Sequence, residues 1–276
     1  MRAMLQEDRG AIRDYYDDVG DDERSRLTRD LPGRVSFEVH RRFLAGLVEP
    51  GQRVLEVGAG PGRFTTVLAE LGTRIVVTDF SPVQLELNRI HVGHTPAEDA
   101  VERRELLDVC DTSRFADGEF DAVVAYGGPL SYAFEQTEDA LRGLRRITGP
   151  SGLVVASVMS MLGSWRHLLA DITEVAADIG EDANDAVLRT GDMRPTGARH
   201  VCQLFRAREI EDLATRCGVR VVAASASNWA SLGDLAALHE IESVPDRWRR
   251  FLDHEVAACA EPGALDGGTH ILFAVR

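Results

Sequence analysis

Val54-Leu55-Glu56-Val57-Gly58-Ala59-Gly60-Pro61-Gly62-Arg63-Phe64-Thr65 is the stretch whose reading decides the fold. An apolar run carrying one acid turns through three glycines and enters a segment of helical apolar spacing. Glycine permits positive φ and lets a ligand lie directly against the main chain. The helix that follows presents N–H groups without intrahelical partners, together with a partial positive charge. The spacing separates this turn from the dinucleotide fingerprint, whose third glycine comes three residues after the second. Here that position is Arg63.

Outward from this turn, short β-branched runs at 53–57, 74–78, 120–125 and 153–158 alternate with helical stretches at 62–71, 82–90 and 137–147. In the last of these, Ala140, Leu141, Leu144 and Ile147 share one face. Such alternation predicts right-handed crossovers and an α/β fold with a parallel sheet. Turn chemistry marks the joints: Glu49-Pro50-Gly51, Gly149-Pro150-Ser151-Gly152, and Ser81-Pro82 as a helix start. Two more strands are predicted at 219–224 and 270–275, with a helix at 207–217 between the first of them and an alternating stretch around His200. Residues 1–48, 159–198 and 227–266 read as helical additions. With no internal repeat, one domain over 1–276 is expected: a helical lid at 1–48, a cofactor-binding half at 49–158, and remaining strands and helix at 199–226 and 267–276. The insertions 159–198 and 227–266 are expected to form a substrate cap over the strand ends.

Composition narrows the chemistry. The formal charge of −14 argues against a nucleic-acid partner. All 31 basic residues are arginine, so Schiff-base chemistry and lysine bases are excluded, and a GC-rich bacterial genome is the expected source. Cys110, Cys202, Cys217 and Cys259 are scattered and read as free thiols. His91 and His94 have an HxxH spacing with no third ligand nearby, so no metal is expected. No apolar run is long enough to cross a bilayer, and the acidic N-terminus is unlike a signal peptide, so a cytoplasmic location without a membrane partner is expected.

The run from Val54 resembles motif I of class I S-adenosylmethionine-dependent methyltransferases, close to Val-Leu-Asp/Glu-x-Gly-x-Gly-x-Gly. Ile75–Pro82 resembles the family's second motif, with Asp79 placed 23 positions after Glu56, as the family's ribose-binding acid is. Glu105–Asp111 and Phe115–Val123 resemble its third conserved stretch, and Arg145–Ser157 its glycine-proline turn. The resemblance covers about residues 50–158. It implies a Rossmann-like, seven-stranded, mostly parallel sheet with helices on both faces, and S-adenosylmethionine as cofactor with S-adenosylhomocysteine as product. The cofactor would then lie against Glu56, Gly58, Ala59, Gly60 and Gly62, with Asp79, Phe80 and Ser81 at the ribose. Asp108 would meet the adenine amino group and Val109 the ring, whereas Asp111 reads as a turn residue. Tyr126 and Gly127, in the loop after the 120–125 strand, would flank the reacting methyl. Tyr15-Tyr16 and residues 23–27 are similar to the lid helices of small-molecule members, which makes Tyr15 a candidate cofactor contact.

The loop 125–132 lacks the Asp/Asn/Ser-Pro-Pro-Tyr/Phe motif of many enzymes that methylate nucleobase or glutamine nitrogens. A small-molecule acceptor is therefore expected, taken by in-line displacement, with a monomer or homodimer as the working unit. His200 is the candidate general base because imidazole titrates near neutrality. A histidine merely hydrogen-bonded in a half-buried strand is the competing reading. Tyr132 and His167 are further candidates. Two alternatives stay open: a same-fold enzyme that binds the cofactor but does not methylate, and a methyltransferase acting on a macromolecule.

Overall fold

The computed structural model describes residues 2–26 and 28–276, with side chains from residue 8 onward. Leu27, read above with the lid segment, lies outside the described residues. The chain opens with helices α1 (Arg2–Val19), α2 (Asp22–Arg26) and α3 (Leu31–Ala45). Asp30 caps α3 by accepting from the Gly33 N–H at 2.7 Å. The alternating body follows as β1 (Arg53–Val57), α4 (Arg63–Glu70), β2 (Arg74–Asp79), α5 (Pro82–Val92), β3 (Val101–Leu106), β4 (Phe120–Ala125), α6 (Thr137–Ile147) and β5 (Thr148–Met159). Then come α7 (Met161–His167), α8 (Leu169–Ile179), α9 (Glu181–Thr190), α10 (Ala207–Arg216), β6 (Val221–Ala226), α11 (Leu235–Glu242), α12 (Pro245–Cys259) and β7 (His270–Val275).

One sheet holds all seven strands, in the order β3-β2-β1-β4-β5-β7-β6. β7 runs antiparallel between β5 and β6, and the other pairings are parallel. This is the Rossmann-like α/β class expected. Period-two alternation divides the core between the two faces. Val54, Ile75, Val77 and Val124 pack with Leu44 of α3 and Phe64 and Leu68 of α4. Leu55, Val123, Val154 and Phe273 pack with Leu141 and Leu144 of α6 and Leu213 of α10. Both faces are covered, which is why the central strands are apolar throughout.

Three local readings are adjusted. β3 is a strand although Glu102, Arg103, Arg104 and Glu105 fill it, because it is the sheet's edge and half of its surface meets water. β6 starts at Val221 and not at 219, because the Val219 N–H still closes the end of α10 on the Ala214 carbonyl. His200 sits in a bend and not in a strand; the nearest bridge involves Gln203. No helix among the described residues is long and apolar enough to cross a membrane.

Candidate functional site

The order of strands reverses between β1 and β4, and a cleft opens there at their carboxyl ends. Its floor is the turn after β1. Gly58, Gly60 and Gly62 have φ of 71°, 53° and 92°. A Cβ on Gly58 would lie 2.7 Å from Pro129, and one on Gly62 would lie 2.5 Å from Val92, so those two glycines serve close packing. At Gly60 nothing comes nearer than 3.9 Å, so its main chain faces open space.

Around this floor is a cavity of about 120 Å³, walled by Gly58, Gly60, Asp79, Asp108, Tyr126 and Gly127. Phe80, Ser81, Val109 and Tyr132 also reach it. Tyr15, Glu56, Ala59 and Gly62 do not line it. Glu56 is buried behind the turn, where its carboxyl accepts from the Thr65 hydroxyl at 2.6 Å. Burial pushes its pKa up to about 8 against that hydrogen bond, so the group is largely neutral at pH 7.

Asp79 ends β2 in the cleft. One carboxylate oxygen accepts from the Gly60 N–H and the other from the Ser81 N–H, both at 2.8 Å. Burial raises its pKa to about 6 in spite of these bonds. Each oxygen keeps a lone pair for a further donor, as two neighbouring hydroxyls would supply. Ser81 is fixed in turn: its hydroxyl accepts from the Gln84 N–H at 3.0 Å and caps α5. Gln84 also lines the cavity and is fully buried, and its Oε1 has no partner among the described residues. An acidic pair of hydrogen-bond acceptors, a bare main-chain floor and an orphaned amide oxygen suit a ligand rich in hydroxyl and amino groups. A nucleoside cofactor such as the one expected fits them.

Helix α1, part of the segment read as a lid, occupies part of this space, through residues other than the Tyr15 expected there. Arg9, Ile12, Arg13 and Tyr16 all line the cavity. Arg9 pairs with Asp108 at 3.0 Å, so the acid expected to face adenine is held by a guanidinium. Gln84 donates to the Tyr16 and Gly20 carbonyls at 2.8 and 3.0 Å, and Ser81 donates to Asp17 at 2.5 Å. A tyrosine beside a tyrosine could have signalled this docking, because only one of two adjacent helical residues can point into a cleft. Tyr16 is that residue, while Tyr15 stacks on His200 with ring centroids 4.7 Å apart.

A second, larger cavity of about 580 Å³ lies on the other side of Tyr132 and His200. The Tyr132 hydroxyl lies 2.8 Å from His200 Nε2 and 2.5 Å from the Tyr16 hydroxyl. Tyr16 and Tyr132 line the small cavity and His200 the large one, so this hydrogen-bonded chain crosses the wall between them. Burial, then the nearby Arg26 charge, holds His200 below its ordinary pKa. Burial drives Tyr132 well above the usual tyrosine value, so its hydroxyl keeps its proton. The large cavity is walled by α7–α9 and the loop behind them, including His167, and by the end of β5; the 227–266 segment adds only Asn228 and Leu232, its helices packing instead on α3. His91, by contrast, is tied to Asp21 at 2.5 Å on the surface.

Comparison with known proteins bears on this arrangement. Residues 54–152 match the model of a methyltransferase domain. Over 167 residues the chain is 32% identical to the demethylmenaquinone methyltransferase of Beutenbergia cavernae, covering 58% of this chain and 62% of that protein. The chain thus spans about three fifths of the length of such curated relatives. Among solved structures, the Haloferax volcanii protein complexed with the Trm112 methyltransferase activator is 16% identical and superposes with a TM-score of 0.61, over 96% of both chains. The cyclase SpnF is 15% identical with a TM-score of 0.54, over 87% of this chain and 80% of that one. At these identities the two structures speak for the fold alone. Together with the sheet order and the glycine turn set beside an acid, the domain match and these methyltransferase relatives identify residues 54–152 as a class I S-adenosylmethionine-dependent methyltransferase domain.

Proposed function

We propose that the protein transfers a methyl group from S-adenosylmethionine to a small molecule held in the larger cavity, as a single-domain cytoplasmic enzyme without a nucleic-acid or membrane partner. The observation that carries this reading is the Tyr132–His200 hydrogen bond, which joins the cofactor cleft to a second, roomier cavity. Bound in the cleft, the cofactor supplies an activated methyl carbon on a sulfonium and leaves as S-adenosylhomocysteine. Asp79 would hold the ribose hydroxyls and Gly60 would supply the main-chain floor. Asp108, once free of Arg9, would accept from the adenine amino group, with Val109 beside the ring. Tyr126 and Gly127 would bound the space near the methyl.

The chain's own chemistry is alignment and removal of a proton. His200 is neutral and Tyr132 protonated, so Tyr132 donates to His200 Nε2 and keeps a lone pair for a donor on the acceptor. The acceptor's proton passes to Tyr132 while that of Tyr132 moves to His200. General-base help of this kind is worth roughly 10²–10⁴ in rate.

Isothermal titration with S-adenosylhomocysteine tests the cleft, and methyl transfer to an acceptor panel that includes demethylmenaquinone, the acceptor named for the Beutenbergia relative, tests the reaction. Binding and turnover are expected. With a turned-over acceptor, His200→Ala lowers kcat and removes the acidic limb of the pH profile. Absence of cofactor binding defeats the reading, and an unchanged pH profile removes His200 as the base. Binding without turnover on any acceptor favours the non-methylating alternative.

A further inference from the structure

Helix α8 carries an apolar stripe that the described residues leave part-exposed. Leu168, Ile172, Val175 and Ile179 recur at intervals of four, three and four residues, so they share one face. All four line the 580 Å³ cavity. Leu168 and Val175 are each 41% exposed and Ile179 is 40% exposed, so the stripe faces open space. The same cavity is lined by Met159 at the end of β5, Met161 at the start of α7 and Leu204 from the returning loop. These apolar groups border one cavity that stays open, although collapse would remove them from water.

The charges at this site narrow the occupant further. Arg26 lines the cavity, its Nε donating to Glu23 at 2.7 Å. Asp30 and Asp171 also line it, so acids outnumber the one arginine there and a phosphate or other anionic tail would meet net negative charge. His270 reaches the wall too, and its buried Nε2 has no hydrogen-bond partner among the described residues. Methionine side chains adapt to irregular apolar shapes. A volume of this size lies within the roughly 300–1,000 Å³ of pockets that take drug-sized ligands.

Building on the methyl-transfer reading, we propose that the acceptor is a bulky, mostly apolar molecule of drug-like size that carries no anionic group. It lies between the α8 stripe and the Met159–Met161 wall and presents its nucleophilic atom at the Tyr132–His200 end. Sugar phosphates and nucleotides are excluded as acceptors. The stripe lines a concavity with walls on both sides and is flanked by the exposed Glu174 and Asp178, which sets it apart from a face for anionic lipid.

The test is a fluorescence titration of the S-adenosylhomocysteine-saturated protein with N-phenylnaphthylamine, a neutral apolar fluorophore. Saturable binding to one site, displaced by naphthol and not by ribose phosphate, is expected. Val175→Glu places a carboxylate on the stripe and weakens the probe at least about tenfold. Leu169→Glu lies outside the cavity lining and leaves the probe within about twofold. Titration of S-adenosylhomocysteine into both variants is expected to match the wild type within about twofold, which shows that they are folded. Non-saturable binding, an unchanged affinity in Val175→Glu, equal weakening by Leu169→Glu, or sedimentation showing a dimer that Val175→Glu splits would each overturn the proposal. Failure of S-adenosylhomocysteine to bind the wild type would instead defeat the methyl-transfer reading, and the probe titration without it still reports what the cavity accepts.

Discussion

Asp79 is pulled two ways, and the balance sets a pH dependence. Two main-chain N–H groups favour its carboxylate, while burial favours the neutral acid and wins, bringing the pKa to about 6. A ribose diol is gripped by the ionised form, so affinity for S-adenosylhomocysteine is expected to hold above pH 6 and to fall about tenfold per unit below it. Asp79→Ala at pH 7.5 should cost at least about tenfold, the worth of one charge-assisted hydrogen bond; isothermal titration across pH reads both. Glu56 behaves differently because it serves the fold. Its folded pKa of about 8 lies above the ordinary carboxyl value, so the native state binds the extra proton between the two. Stability from this group is full below about pH 4.5 and is lost as pH rises through 8. Glu56→Gln, which keeps the shape without the charge, should therefore gain on the wild type by on the order of 1 kcal/mol per unit between those limits. A Tm difference that is flat with pH would place the shift elsewhere. At this scale the sequence was informative where a residue sits in a motif. Asp79 and Asp108 were picked out by the resemblance of their stretches to family motifs, whereas Arg9, Arg13 and Gln84 reach the cleft only through the docking of α1 and α5, which no local pattern records.

Among the elements, α1 and the turn before α4 do opposite work. The turn is rigid because glycines are demanded by contact: Gly62→Ala would add a strained positive φ to a Cβ 2.5 Å from Val92. A loss of about 1–3 kcal/mol is expected, read as a lowered Tm even in the absence of cofactor. Helix α1 is held over the cleft by polar contacts that a ligand could replace. The cavity beneath it, about 120 Å³, is smaller than the roughly 300 Å³ at which drug-sized pockets begin, so α1 must shift for a nucleoside to enter. Arg9→Ala removes its pair with Asp108 and should raise the association rate of S-adenosylhomocysteine about two- to fivefold in stopped flow, as a part-exposed ion pair would allow. A slower association would mean that Arg9 attracts the cofactor and does not bar it. The strands bordering this cleft were readable from apolar runs and turn residues. β3 was not, because an edge strand bears charges and loses the periodic signal, and β6 was offset because the turn ending α10 absorbs Val219.

The molecule as a whole divides into a sheet packed on both faces and a group of helices, α7–α9, that border a void. The stability of such a structure is uneven, with regions of few buried contacts opening first. Amides of residues 168–190 are accordingly expected to exchange hydrogen faster than those of β1, β4 and β5, and to slow when an apolar ligand fills the cavity. Equal protection in both regions would show the cap to be as firmly packed as the sheet. The alternation of strand and helix was enough to foretell the sheet, and 159–198 was read as a cap, but which of its side chains would wall a void was not foreseeable, since α8 reads as an ordinary apolar helix. The place of β7 has a further consequence, for the growing polypeptide. Its six residues pair with both β5 and β6, yet they are translated after every other strand. Until they emerge from the ribosome, the nascent protein presents β5 with an unpaired border and β6 with no neighbour at all, a template for sticking to other chains. Translation that stalls before His270 should thus yield aggregates and not a shortened enzyme, and this last strand is the poorest place in the gene for a frameshift or a slow codon.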